Sequence, residues 1–375
     1  MTDSTTTAAG LVGFTIAITA ARRADEFAML LQRRGAHTVS APAMSIIPLA
    51  DDVALRAATD DILETAPDIL IATTGIGFRG WVEAADEWGL APALMAQLAK
   101  TRIISRGPKP TGALRAAGLR EEWSPKSEST VEVLAHLPDD LSGQRVAVQL
   151  HGATEAWDPN PGFLADLRRR GATVIGVPVY RWTSPVDQSR FDALLAEVAA
   201  ARVDALALTS APAVAAMFER AKEIGRYDRL IAALRGPVLP YCVGPVTAGP
   251  LDVAGVPSIA PERMRLGALA RLIGDDLPAR RPELSVAGHR VGVRAAAVVV
   301  DGRLRDVSPS GLALMRALAA NPGEVVSRTE LLDVLPVADA DAHAVEVAIG
   351  RLRSALGDRE LIATVVKRGY RLAVD

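Results

Sequence analysis

The feature that most constrains this chain is a pattern written twice. RRGAHTVSAP (33–42) returns as RRGATVIGVP (169–178), an offset of 136. IATTGIGFRGWVEAA (71–85) resembles ALTSAPAVAAMFERA (207–221) at the same offset. RGPKPTGALRAAGL (106–119) matches VGPVTAGPLDVAGV (243–256) at about 137. Three anchors at one spacing mark residues 11 to about 275 as a doubled unit, and each copy folds to the same supersecondary pattern.

That pattern alternates strand and helix. FTIAITA (14–20) is a short apolar strand, and ADEFAMLLQRRG (24–35) is an amphipathic helix closed by Gly35. PDILIATT (67–74) is a second strand that ends in a small-residue loop before the helix GFRGWVEAADEWG. TRIIS (101–105) runs into RGPKPT and a further helix. The second copy repeats this with QRVAVQL, FLADLRRRG, VDALALTS and PVLPYCVG. Short β-runs between 10–14-residue helices predict parallel α/β sheets. In such sheets ligands bind outside the carboxyl ends of the strands, near helix N-termini. The Gly/Thr/Ser loops of both copies fall at that edge.

Composition removes several alternatives. The chain has 375 residues, 49% of them hydrophobic and 23% charged, as in a soluble globular protein of two or three domains. Its apolar runs are far shorter than the ~20 residues that span a bilayer, so no membrane association is expected. MTDSTTTAAG carries no basic n-region, reads as a disordered tail over 1–10, and predicts no signal peptide. Cys242 is the only cysteine, which fits a cytoplasmic location and a small buried strand residue. None of the five histidines has a partner at metal-ligand spacing, so neither a metal nor any other cofactor is expected. The common phosphate-loop, dinucleotide and hydrolase signatures are absent.

The loops at the predicted edge carry hydrogen-bond donors. Thr74, Gly75, Gly107, Lys109, Thr111, Ser210, Gly244 and Thr247 lie at strand-to-helix turns, with Arg22 and Arg106 nearby. Such a set suits a polyanion. Gly-Pro and Thr at a strand-to-helix turn also form an ordinary helix N-cap, and both readings stand at this point.

CVGPVTAGPLDVAGV (242–256), with its G-P-x-T-x3-L-x3-G signature, resembles uroporphyrinogen-III synthase. LTSAPAVAAMF, TTGIGF, GATVIGVPVYRW and GAHTVSAPAMSIIPL support the resemblance, which covers residues 11–275. It implies two flavodoxin-like lobes joined by crossovers near 44–50 and 178–184. Lobe A would combine 11–43 with 185–275, and lobe B would hold 50–177. The family closes hydroxymethylbilane, a linear tetrapyrrole with eight carboxylates, while inverting its last pyrrole. By the resemblance Tyr180 would assist departure of the substrate hydroxyl, and a phenol is a plausible proton donor. Two places depart from the family. HGATEAWDPNPGF (151–163) has His and acidic residues where the enzymes tend to carry an arginine-bearing loop, and GPKPT has one residue more than G-P-x-T.

The end of the chain has another texture. From Arg351 to Arg371 six cations (Arg351, Arg353, Arg359, Lys367, Arg368, Arg371) face only Asp358 and Glu360, in a protein of net charge -2. A linker is expected at 276–284. Ser308 and Pro309 start a helix that ends at Asn321, and Ser327-x-x-Glu330 is a capping box. Helix 341–356 carries a Val345/Ile349/Leu352/Leu356 stripe, with Arg351 and Arg353 pointing away from it. LIATVV-KRG-YRLAV is a hairpin with a cationic turn. Residues 285–375 resemble the winged helix-turn-helix DNA-binding domain of OmpR/PhoB-type response regulators, through NPGEVVSRTELL, VEVAIGRLRSALGD and IATVVKRGYRL. The resemblance implies that Arg351 and Arg353 reach bases or phosphates of double-stranded DNA. Thr364, Lys367, Arg368 and Tyr370 would contact the backbone or minor groove. Ala348, Gly350 and Val366 replace larger polar or basic residues of that family.

The fold class expected is thus α/β, two flavodoxin-like lobes followed by a C-terminal winged helix-turn-helix. No phosphoreceiver precedes the DNA-binding part, so the synthase-like module stands in the sensor position. That order resembles the actinobacterial regulators of nitrate and nitrite assimilation. One reading is a transcription regulator that binds a small anionic or tetrapyrrole-like ligand, acts as a dimer on DNA, and has another transcription regulator as a further partner. The other is a uroporphyrinogen-III synthase carrying a DNA-binding domain.

Overall fold

A computed structural model describes residues 10–48, 53–125, 130–150, 162–183, 185, 187–335 and 342–375. The expected tail up to residue 9 and positions 151–161 of the acidic loop lie outside the described residues. The chain divides into two units, Met1–Ala43 with Asp187–Asp375, and Met44–Val186.

The first unit opens with β1 (Thr15–Ile18), α1 (Ala24–Gln32) and β2 (His37–Ser40). The second holds β3 (Ser45–Pro48), α2 (Val53–Glu64), β4 (Ile69–Ala72), α3 (Gly75–Glu87), α4 (Ala91–Leu98) and β5 (Arg102–Ser105). It continues with α5 (Pro108–Ala116), α6 (Thr130–His136), β6 (Arg145–Leu150), α7 (Phe163–Arg169), β7 (Thr173–Pro178) and β8 (Tyr180–Thr183). The chain returns to the first unit with α8 (Ser189–Ala199), β9 (Ala205–Leu208), α9 (Ala211–Glu223), α10 (Tyr227–Arg235), β10 (Leu239–Cys242), α11 (Pro245–Val253) and α12 (Leu266–Arg280).

The duplication is visible in the sheets. The first unit orders its strands β10-β9-β1-β2 and the second β5-β4-β6-β7, all parallel. Parallel strands need crossovers, and here helices supply them, covering both faces. In the second unit Leu70 packs with Phe78 and Trp81 on one face, while Ile69 and Ile71 pack with Val133 and Phe163 on the other. The buried Trp81 indole finds its partner in the Thr59 hydroxyl at 2.9 Å. β3 and β8, at the two segments expected as crossovers, pair antiparallel, with Pro48 opposite Tyr180.

The expected linker at 276–284 is shorter in the structure. α12 runs to Arg280 because Leu269, Ile273 and Leu277 bury against β10 and α1, which carries the helix past Pro278. Then follow β11 (Leu284–Val286), β12 (His289–Val293), β13 (Val298–Val300), β14 (Arg303–Arg305), α13 (Pro309–Ala320), α14 (Arg328–Asp333), α15 (Ala342–Leu356), β15 (Ile362–Val365) and β16 (Gly369–Leu372). Ser308 caps α13 through the Gly311 N–H, and Ser327 and Glu330 form the full capping box of α14. Val345, Ile349, Leu352 and Leu356 bury against Leu314, Leu318 and Leu331. The antiparallel sheet β11-β12-β13-β14 closes the other side of this core.

These contacts have measurable consequences for stability. Ser327→Ala removes the hydroxyl that accepts the Glu330 N–H, leaves the Ser327 N–H bond to the Glu330 carboxylate in place, and lowers stability by about 1 kcal/mol, read as a shift in urea midpoint. His289 bridges Asp301 (2.7 Å) and Asp358 (3.2 Å), and those hydrogen bonds raise its pKa in the folded state. A raised histidine pKa gives stability that is full below its ordinary value of about 6.5 and fades as pH rises through the folded value. The urea midpoint of the C-terminal domain therefore falls between about pH 6 and about pH 8, and His289→Ala flattens that slope.

Candidate ligand edges and DNA-reading face

In each parallel sheet the loops that leave the carboxyl ends of the strands lead into helix N-termini, so amide donors gather at one edge. In lobe B, Thr74 opens α3 in an extended conformation and its hydroxyl accepts the Gly77 N–H at 3.1 Å. A side chain on Gly75 would collide with the Lys109 carbonyl, so α3 and α5 start against each other only because that residue is glycine. Gly107 opens α5, with proline in the first turn. Ser105 Oγ donates to the Gly107 carbonyl (2.8 Å) and accepts the Gly107 N–H (3.2 Å) and the Thr111 hydroxyl (2.9 Å). The Thr111 proton is therefore committed inside the turn. Arg106 is half-buried and Lys109 exposed.

In lobe A, Ser210 and Gly244 hold the matching positions at the starts of α9 and α11. Ser210 differs from Thr74, because its hydroxyl makes no cap bond and stays half-exposed. A Cβ on Gly244 would lie 2.7 Å from Met264 Cγ, so the backbone approaches that side chain closely. Thr247 is buried and Arg22 exposed in the turn after β1. The main chain of Tyr180 lies in β8, and its side chain lies outside the described residues.

Two polar residues that sequence reading passed over belong to the same edges. Thr19 follows β1 and is fully buried, and its hydroxyl has no hydrogen-bond partner among the described residues. Gln149, in β6, is also fully buried; its Oε1 accepts the Thr73 N–H at 3.2 Å, while Nε2 has no partner among the described residues. The registers make them equivalent, since Ile16 pairs with Ala205 and Val146 with Ile69, each three residues earlier. An unpartnered buried donor costs about 1–3 kcal/mol, so both copies carry the same kind of polar cost at the same place. The doubled pattern was the signal that could have found them. Cys242, by contrast, is buried with its thiol pushed up to about 11 by desolvation, which leaves it inert.

The C-terminal domain presents a different surface. Arg351 lies exposed on α15, and Lys367 and Arg368 lie exposed in the β15–β16 turn, where Lys367 adopts a left-handed φ of 61°. His343, Val347 and Ser354 share the outer stripe of α15 with Arg351. Arg353 does not point away as its sequence position suggests. Its Nε and Nη2 both donate to the Ile362 carbonyl (3.1 and 2.5 Å), and Nη2 donates to the Thr364 hydroxyl at 2.9 Å. Tyr370 is buried, with the guanidiniums of Arg328 and Arg353 at 5.4 and 5.8 Å from its ring. These two residues hold the hairpin to α15. The expected outward direction of Arg353 is corrected, because satisfying the Ile362 carbonyl and covering the Tyr370 ring outweigh exposure.

Residues 25–271 match the family Uroporphyrinogen-III synthase HemD, and residues 302–372 match Transcriptional regulatory protein, C terminal. A mutant uroporphyrinogen III synthase from the extremely thermophilic bacterium Thermus thermophilus is 28% identical with a TM-score of 0.59, covering 71% of this chain and all of that one. Uncharacterized protein YjjA of Bacillus subtilis strain 168 is 29% identical over 262 residues, 69% of this chain and 94% of that protein. The DNA-binding domain of E. coli CadC is 33% identical over 25% of this chain and 94% of that domain, with a TM-score of 0.22. With the match over 25–271 spanning more than half its length, the chain belongs to the uroporphyrinogen-III synthase HemD family and carries an OmpR/PhoB-type DNA-binding domain fused behind that module.

Proposed function

We propose that this protein is a ligand-responsive transcription regulator. The observation that carries the reading is the fusion itself: a DNA-binding domain with Arg351, Lys367 and Arg368 exposed follows a module whose sheet edges gather helix N-terminal amides. Arg351 and the outer stripe of α15 would enter the major groove, and Thr364, Lys367 and Arg368 would meet phosphate. Arg353 and Tyr370 would act on DNA through the hairpin they position. Arg22, Thr74, Gly75, Arg106, Gly107, Lys109, Thr111, Ser210, Gly244 and Thr247, with Thr19 and Gln149, would take a small anionic or tetrapyrrole-like ligand. A ligand that binds two states of the module unequally shifts DNA affinity by that difference. The genes controlled would be those of nitrate and nitrite assimilation. Binding would be as a dimer on paired half-sites, alongside another transcription regulator in the cytoplasm.

The retained donor set also favours a second reading, a working synthase fused to a DNA-binding domain. Tyr180 would then help the substrate hydroxyl leave. No helix among the described residues is long and apolar enough to cross a membrane.

Double-stranded DNA affinity, measured by fluorescence anisotropy across a salt series, separates phosphate contacts from the rest. Replacing Lys367 and Arg368 together by alanine lowers affinity about tenfold at moderate salt and reduces the log–log salt slope by about 2. An unchanged slope would remove the hairpin turn from the DNA interface. For the ligand edges, the purified protein is given freshly made hydroxymethylbilane and the products are separated. Spontaneous closure yields the type I isomer, and the regulator reading expects type I alone. Type III above background, lost in Tyr180→Phe, would establish the second reading.

A further inference from the structure

The duplication supplies an internal comparison at the amino-terminal ends of the strands, opposite the ligand edges. In lobe B, Asp68 precedes β4 and its Oδ2 accepts the N–H of Arg145, the first residue of β6, at 2.8 Å. In lobe A, Asp204 precedes β9 and its Oδ2 accepts the N–H of Thr15, the first residue of β1, also at 2.8 Å. The backbone around them agrees: Asp68 N–H donates to the Arg145 carbonyl at 2.9 Å, and Asp204 N–H to the Thr15 carbonyl at 2.8 Å. One strand-start device is thus built twice.

The two copies then part. Asp68 is exposed, and Asp204 is 3% exposed. What covers Asp204 is the DNA-binding domain. Its free oxygen, Oδ1, accepts the Ala295 N–H at 2.8 Å, from the β12–β13 turn. The neighbouring Arg294 lays its guanidinium 4.0 Å from the centre of the Phe14 ring and donates to the Arg281 carbonyl. Gly13, with a left-handed φ of +81°, leaves room for Val299, whose Cγ2 would sit 2.5 Å from a Cβ there. Arg294, Arg281 and, from α13, Arg316 surround the carboxylate with opposite charge. Burial pushes the Asp204 carboxyl up, against the pull of the two amide donors and the nearby guanidiniums.

We infer that the amino-terminal edge of lobe A is a dedicated docking surface for the chain's own DNA-binding domain, pinned by the Asp204 carboxylate across the Thr15 and Ala295 amides. The DNA-binding domain is therefore carried by lobe A as one body rather than tethered by a loose linker. The docked face uses the β12–β13 turn, β13 and α13, while Arg351, Lys367 and Arg368 stay exposed, so docking leaves the reading surface open. Thr15 and Thr19 lie at opposite ends of β1, so the strand that holds the pin also reaches the ligand edge. The inference concerns how the domains are joined and stands whether or not the edges bind a ligand.

Limited trypsin digestion of the full chain tests it at the Arg280–Arg281 bond. Arg281 precedes a proline, so cleavage after it is slow and that bond is a clean reporter. The wild type is cut slowly there. Asp204→Ala and Arg294→Ala are each cut at least about tenfold faster, because the connection opens once the contact that orders it is lost. Asp68→Ala, which removes the same strand-start bond from lobe B, leaves that rate within about twofold. DNA affinity of Arg294→Ala stays within about twofold of wild type, since the reading surface is untouched. If Asp204→Ala fails to fold, Arg294→Ala decides alone, because it leaves the Thr15 bond intact. Equal cleavage of Arg294→Ala and wild type, or equal acceleration by Asp68→Ala, would overturn the inference.

Discussion

The synthase-like module follows from two four-stranded sheets in which every strand runs the same way. Neighbouring parallel strands cannot be joined by tight turns, so a crossover, here built of helices, must return the chain to the starting end. The consequence is polarity. The N-termini of helices that directly follow a sheet strand, with their unpaired amides, arrive at the carboxyl edge, and the strand starts arrive at the other. The chain uses both ends. At one edge Thr74, Gly107, Ser210 and Gly244 open their helices. At the other, Asp68 and Asp204 tie adjacent strands. Duplication then supplied two copies of each edge, and the copies were free to diverge.

The divergence is instructive because it is chemical rather than topological. Thr74 spends its hydroxyl on its own helix, whereas Ser210 does not. Thr19 and Gln149 occupy one position with a hydroxyl and an amide. Asp68 faces solvent, whereas Asp204 has lost its water to a second domain and taken an amide in exchange. A buried carboxylate is tolerable only when its oxygens are satisfied, and here two backbone N–H groups from different domains do so.

Much of this was legible in the sequence. The offset of 136 predicted two α/β lobes, and Ser308-Pro309 and Ser327-x-x-Glu330 marked helix starts that the structure shows. The stripe Val345, Ile349, Leu352, Leu356 is buried as its spacing required. Such signals are local: a cap or a helical stripe is decided within a few residues. What stayed hidden depends on distant partners. Arg353 reads as one more surface cation until the Ile362 carbonyl, nine residues on, claims it. Tyr370 reads as a backbone contact until Leu372 and Val345 share its core. The helical reach of α12 past 276 was masked by Pro278, because the sheet that sustains the helix lies far away in sequence.

Under the regulator reading proposed above, double-stranded DNA is read through α15 and the β15–β16 turn. Hydrogen–deuterium exchange of the full chain, with and without duplex fragments selected from genomic DNA, tests it most directly. The account predicts slowed exchange over residues 343–354 and 364–368 and unchanged exchange at the helix starts of both lobes. Slowed exchange at Thr74, Gly107, Ser210 and Gly244 with α15 unchanged would contradict it.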